Sequence, residues 1–213
     1  MALELKKWVR WVFDGPATYV VWRSSELDQF CGPDEPTLRR LTEVFENAAG
    51  MLEPYSDASI NQAFWDLRGY MNHAVLSESI EWVVRERFIR SFEQLFREFF
   101  AVRCKPVLGC NSEEGSPLNS VCYMWFEING WHWHSPVPLS RNRLDSAFLA
   151  SMQSILAIDH AACQEAALHG LGHWHESHPA EVQRIIDEFL ERKPQLREEL
   201  REYACDAREG LVQ

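Results

Sequence analysis

Two imidazoles one helical turn apart, in His169-Gly170-Leu171-Gly172-His173, are the residues of this sequence best spaced to do chemistry. Side chains at i and i+4 share a helix face, so His169 and His173 can hold one transition metal. Glu165, a turn earlier on the same stripe, adds a third donor of a type that zinc accepts. The set Glu165, His169 and His173 therefore defines one reading, a metal-dependent enzyme. It stops short of the zinc-protease pattern, which needs a Glu directly after the first His; Gly170 stands there, and the general base is missing. His175 and His178 come at the helix end and point elsewhere. Imidazoles between helices more often pack and hydrogen-bond than bind metal, so no cofactor is expected.

A second histidine-rich stretch, Trp131-His132-Trp133-His134, carries aromatics with polar edges. Such a loop suits recognition, and it suits equally the plugging of one end of a helical stack. Cys110 or Cys163 with some histidine would make a nucleophile pair, yet no cysteine stands in a recognisable nucleophile context. There is no Gly-x-Ser-x-Gly, no phosphate-binding glycine loop and no dinucleotide fingerprint. The carboxylates of 181–202 alternate with arginines at i, i+4, as on solvated helices.

The elements that must position these groups read as helices. Residues 161–175 and 178–190 form a helix pair joined by a tight turn, the first with a stripe of Cys163, Ala167, Leu171 and Trp174. The second carries Val182, Ile185, Ile186, Phe189 and Leu190. Gly170 and Gly172 cost helix stability and make sense where another helix comes close, Gly172 being expected at such a crossing. Residues 79–101 are the longest apolar pattern, with Ile80, Val84, Phe88, Phe92, Leu95 and Phe99 in line, and are expected to be the most buried long helix. A helix from Pro36 to about Ala49 should end at Gly50, and the next should be capped by Asp57 or Ser59. Pro117 starts another, ended by Asn129-Gly130. Residues 3–22 read either as a helix over 3–13 or as a hairpin turning at Asp14-Gly15; the helix is preferred, because no other strand offers itself. The fold class expected is all-α, an irregular HEAT-like α-solenoid or a helical bundle of antiparallel helix pairs. It forms a single domain over 1–213, with the repeat clearest over 143–208.

The chain has 213 residues, 46% of them hydrophobic and 12% aromatic, which suffices for a sizeable core and excludes global disorder. A formal net charge of -11 argues against nucleic acid or an anionic membrane as partner. Six scattered cysteines without a Cys-x-x-Cys suggest a reducing, cytoplasmic setting. Charges at Glu4, Lys6, Lys7 and Arg10 exclude a signal peptide or spanning helix from the first thirteen residues.

Four stretches together resemble a family of uncharacterised bacterial proteins with HEAT-like helical repeats. They are Trp11-Val12-Phe13-Asp14, Tyr55-Ser56-Asp57-Ala58-Ser59-Ile60-Asn61-Gln62, Pro117-Leu118-Asn119-Ser120-Val121-Cys122-Tyr123-Met124-Trp125, and the segment from Cys163 through His169 to Trp174. The last two are the specific ones, and the resemblance covers most of the chain. It implies a helical, HEAT-like fold and brings no activity or catalytic residue with it.

These observations converge on a non-enzymatic helical module that binds a protein or peptide partner. Its expected surface joins Asn61, Gln62 and Trp65, then Asn119 and Tyr123, then His169 and His173, each off the main apolar stripe of its helix. The metal-dependent enzyme is the first alternative. A small acidic inhibitor of a basic partner is the second, resting on charge alone.

Overall fold

The computed structural model describes residues 2–18, 27, 31–32, 34–132 and 140–212, and all regular structure among them is helical, with no strand. The first helix, α1 (Ala2–Phe13), takes the helical alternative for its segment, burying Leu5, Trp8, Val9, Val12 and Phe13. Residues 19–22 of the hairpin alternative lie outside the described residues.

Local chemistry sets the helix starts. Asp34 accepts a hydrogen bond from the Thr37 amide at 3.0 Å and caps α2 (Glu35–Glu46), whose first turn holds Pro36. Gly50 does not end this region; it lies within the single turn α3 (Ala48–Met51), with open space where a side chain would be. The cap of α4 (Asp57–Leu76) is Ser56, accepting from the Ser59 amide at 3.2 Å, rather than Asp57 or Ser59. Next, α5 (Trp82–Leu95) starts three residues later than its apolar pattern and runs on as a π-helical turn, Phe96–Phe100, then Ala101–Arg103. The wider turn keeps Phe96, Phe99 and Phe100 all buried. A capping box of Ser116 and Asn119 opens α6 (Pro117–Tyr123). After a break at Met124 comes α7 (Trp125–Ile128), and Gly130, at φ +62°, turns the chain away. The remaining helices are α8 (Arg141–Leu156), α9 (Ala161–Trp174), α10 (Pro179–Arg192) and α11 (Glu198–Arg208).

One hydrophobic core runs from Leu5 to Ala207. Its centre is aromatic: the Trp125 ring lies 5.4 to 5.6 Å from Phe45, Phe64, Phe92 and Phe100, mostly edge to face. Such pairs add about 0.5–1.5 kcal/mol each beyond area burial. The most buried long helix is α9, not the 79–101 segment, whose helix α5 keeps Val83, Arg87 and Arg90 exposed. Every residue of α9 from Ala162 to Gly172, and Trp174, is buried, because α6, α7, α8, α10 and α11 all pack against it. Its small residues allow this. A Cβ on Gly170 would stand 2.6 Å from Met152 Sδ of α8 and 2.9 Å from Phe126 Cβ of α7. Gly172 is tight for another reason: its Cβ would meet Val212 of the C-terminal segment at 2.5 Å, not a helix.

Candidate metal centre

Through α7 and α9 three donor atoms come together. His169 and His173 project from one face of α9, and Glu127 reaches them from α7. One ligand atom from each lies within 4.8 Å of the others. Glu127 Oε2 is 2.8 Å from His169 Nε2 and 3.6 Å from His173 Nε2, and the two nitrogens are 3.3 Å apart. Donors around a tetrahedral ion at about 2.05 Å are separated by about 3.3 Å. An ion about 2.05 Å from all three atoms would sit roughly 0.8 Å off their plane, against about 0.7 Å for an ideal tetrahedron. The triangle thus has the size of three tetrahedral ligands with the fourth position left open. His169 is wholly buried, while the His173 and Glu127 side chains keep 21% and 36% exposure, so solvent reaches the donors from their side.

The protonation states suit a cation. Burial lowers His169 and His173, against the opposing pull of Glu127, and favours neutral imidazoles. Partial burial works to raise Glu127, but the hydrogen bond from His169 and the fields of His169, His173 and His132 hold it low. With Glu127 ionised and accepting only, His169 donates to it through Nε2–H. Nδ1 of His169 is 2.7 Å from the Tyr203 hydroxyl of α11, which is 3.1 Å from the Tyr123 hydroxyl of α6. Burial, then Tyr123, raises Tyr203, so it stays a neutral hydroxyl. This chain holds the imidazole orientation on the side away from Glu127. The His132 ring stacks on His173 at 4.7 Å.

The carboxylate meeting the imidazoles is therefore Glu127 and not Glu165. Glu165 points to the 104–116 loop, where its two oxygens accept from the Gly109 and Cys110 amides at 2.8 Å each. Burial raises its pKa against the pull of those bonds. The stripe 165–169–173 is a real face of α9, but Glu165 stands one turn, about 6 Å, beyond His169 and meets a different neighbour. Glu127 carried one signal in the sequence, a lone acid inside the apolar run Trp125-Phe126-Glu127-Ile128.

The other expected surface residues divide. Asn119, Tyr123 and Glu165 line one cleft of about 300 Å³, with Val107, Glu113 and Met124. Asn119 is also committed to the chain itself: its Oδ1 accepts from the Ser116 and Lys105 amides and its Nδ2 donates to the Lys105 carbonyl. Asn61 accepts from Ser120 Oγ at 3.0 Å, Gln62 donates to Asp66 at 2.7 Å, and Trp65 packs on the core with the Arg68 guanidinium 5.9 Å over its ring. His169 and His173 belong to the triad. The cleft thus gathers the α6 pair with Glu165 alone. Of the histidine–tryptophan stretch, Trp131 is a core residue whose ring stacks against both Phe92 and Phe148, at 5.2 and 5.0 Å; Trp133 and His134 lie outside the described residues.

No protein family, curated protein or solved structure matches this chain.

Proposed function

We propose that this protein binds a divalent transition metal, zinc foremost, through Glu127, His169 and His173. The observation that carries the reading is the triangle of donor atoms, whose 2.8, 3.3 and 3.6 Å edges match a tetrahedral ligand face. Two imidazoles and one carboxylate with a fourth position open is a donor set that holds water as the fourth ligand and lowers its pKa, so metal-dependent hydrolytic chemistry is the activity it fits. Binding at Nε2 moves the His169 proton to Nδ1, where the Tyr203 hydroxyl accepts it and in turn donates to Tyr123. Reversal of that hydroxyl pair is all the second layer requires.

The test is a zinc or cobalt titration of chelator-stripped protein. One equivalent should bind, cobalt should show the absorption of a tetrahedral site, and binding should be lost in Glu127→Ala and His173→Ala. A wild-type protein that binds no metal, or a His173→Ala protein that binds as wild type, ends the proposal.

The reading as a protein- or peptide-binding module keeps one observation, the cleft beside Asn119, Tyr123 and Glu165. Affinity capture with wild type and Tyr123→Ala tests it. A HEAT-like arrangement and kinship with bacterial proteins of that type stay part of the proposal. The packing of five helices around α9 supports a bundle over an open solenoid, in which each repeat touches only its neighbours. Among the described residues no helix is long and apolar enough to cross a membrane; a cytoplasmic setting is likewise proposed, from the cysteine pattern.

A further inference from the structure

The cleft beside α6 has a charge at its wall that the fold leaves without a counter-ion. Glu165 is 1% exposed, yet it lines this cavity of about 300 Å³. Its two oxygens accept one amide each, from Gly109 and Cys110, out of the roughly four acceptor sites that a carboxylate offers. Those amides carry no net charge, and among the described residues no Lys, Arg or His pairs with Glu165. The nearby acid Glu113 is already matched, by a fork of hydrogen bonds from the Arg197 guanidinium. Lys105 turns away to the Glu114 carbonyl, 3.4 Å from its Nζ. Burying a carboxylate without a cation is costly, and burial together with the Glu113 charge acts to raise Glu165. The lining thus holds one unmatched carboxylate and no basic side chain.

Room for a ligand is built into the same wall. Gly109 lines the cleft, and its φ is not left-handed, so the local backbone does not demand glycine. What the missing side chain supplies is space: a Cβ would stand 3.3 Å from Tyr123 Cγ and 3.6 Å from Glu165 Oε2. Carboxylate and aromatic ring therefore border one opening, the first able to pair with a cation and the second to attract it through its π-electrons. Ser120 donates its proton to Asn61, so its oxygen is left to accept. Val107 and Met124 supply the apolar part of the wall. A single carboxylate suits an ammonium. A metal ion needs more donors, and among the described residues three come together at the triad and not here.

We propose that this cleft binds a primary ammonium group on a short aliphatic chain, with Glu165 as its counter-ion. The three N–H donors of such a group match the open acceptor sites of the carboxylate and the Ser120 oxygen, while Tyr123, Val107 and Met124 hold the chain. A volume of about 300 Å³ is at the low end of ligand cavities, which suits the four-carbon stem of a lysine or an amine of similar length. Two sources carry this chemistry, a free alkylamine and a lysine side chain of a partner. The inference deepens the peptide-binding reading of the cleft and rests on it for the lysine source; the metal centre takes no part.

The experiment follows the Gly109 and Cys110 amide resonances of full-length protein by NMR, in chelator and at neutral pH, during titration with n-butylamine. Both amides bond to Glu165, so they report a ligand at its carboxylate. Butylamine should saturate one site and bind at least about tenfold tighter than n-butanol, which has the same chain and no charge. Glu165→Gln should weaken butylamine by about tenfold. Gly109→Ala keeps the carboxylate but narrows the opening, and should weaken it by about tenfold as well. Comparison with N-acetyl-lysine methylamide names the source: tighter binding than butylamine indicates a partner's side chain, weaker binding a free amine. Butylamine bound no tighter than butanol overturns the proposal, and so does wild-type affinity in Glu165→Gln. If that variant fails to fold, wild-type affinity in Gly109→Ala overturns it instead. Protein capture that depends on Tyr123 while butylamine does not bind would leave the peptide-binding reading without the ammonium site; butylamine binding without capture would do the reverse.

Discussion

Tyr203→Phe is the substitution that asks most of the proposed centre, because it touches no ligand atom and keeps the ring. Tyr203 is 8% exposed, and its hydroxyl lies 2.7 Å from His169 Nδ1. With a metal on Nε2, Nδ1 must carry a proton, and the substitution leaves that buried N–H without its acceptor. Losing such an outer partner costs roughly 10–100-fold in metal affinity, equivalent to about 1.4–2.7 kcal/mol. The same range follows from leaving one buried donor unsatisfied, about 1–3 kcal/mol. The metal-free protein also loses the bond that Nδ1 accepts from Tyr203, so its own stability should fall by about 1 kcal/mol. Competition of stripped protein with a chromophoric chelator for zinc, at fixed pH, gives both dissociation constants, and a thermal melt confirms that the variant is folded. Equal affinities in a wild type that does bind zinc would refute the orienting role of the hydroxyl pair while leaving the triad standing.

Glu165→Gln should leave zinc affinity within about twofold of wild type, since this carboxylate serves the 109–110 amides; a tenfold loss would return it to the ligand set. Gly170→Ala places a methyl against Met152 and Phe126, and should cost about 1–3 kcal/mol, a fall in Tm of about 2–4 °C per kcal/mol. Gly172→Ala should cost less, because its obstacle, the part-buried Val212 side chain, lies outside any helix, whereas Met152 and Phe126 are buried in α8 and α7; equal losses in the two melts would contradict this. Burial lowers His169 and His173 in the folded state, so the unfolded chain binds the extra protons. Their contribution to stability is full above about pH 6.5 and is lost as pH falls below it. Urea midpoints of the metal-free protein should therefore decline from pH 7.5 to 5.5, and a His169→Asn His173→Asn variant should show a flatter slope.

The sequence by itself determined what depends on short range. Helical periodicity, Pro36 and Pro117 in first turns and Asn129-Gly130 as a stop are local properties of the chain, and the helices follow them. The i, i+4 spacing likewise placed His169 and His173 on one face of α9 before any neighbour was known. Which carboxylate completes the pair was not a local matter. Glu165 and Glu127 are equally compatible with the sequence, and only the crossing of α7 over α9, which Gly170 permits, brings Glu127 to 2.8 Å of His169 while the 104–116 loop takes Glu165. Burial ranking was also decided at long range: α5 carries the bulkier apolar side chains, yet α9 is the more buried because five helices close around its small residues. Periodicity fixes the face of a helix; what that face meets depends on the tertiary packing of elements far apart in the chain.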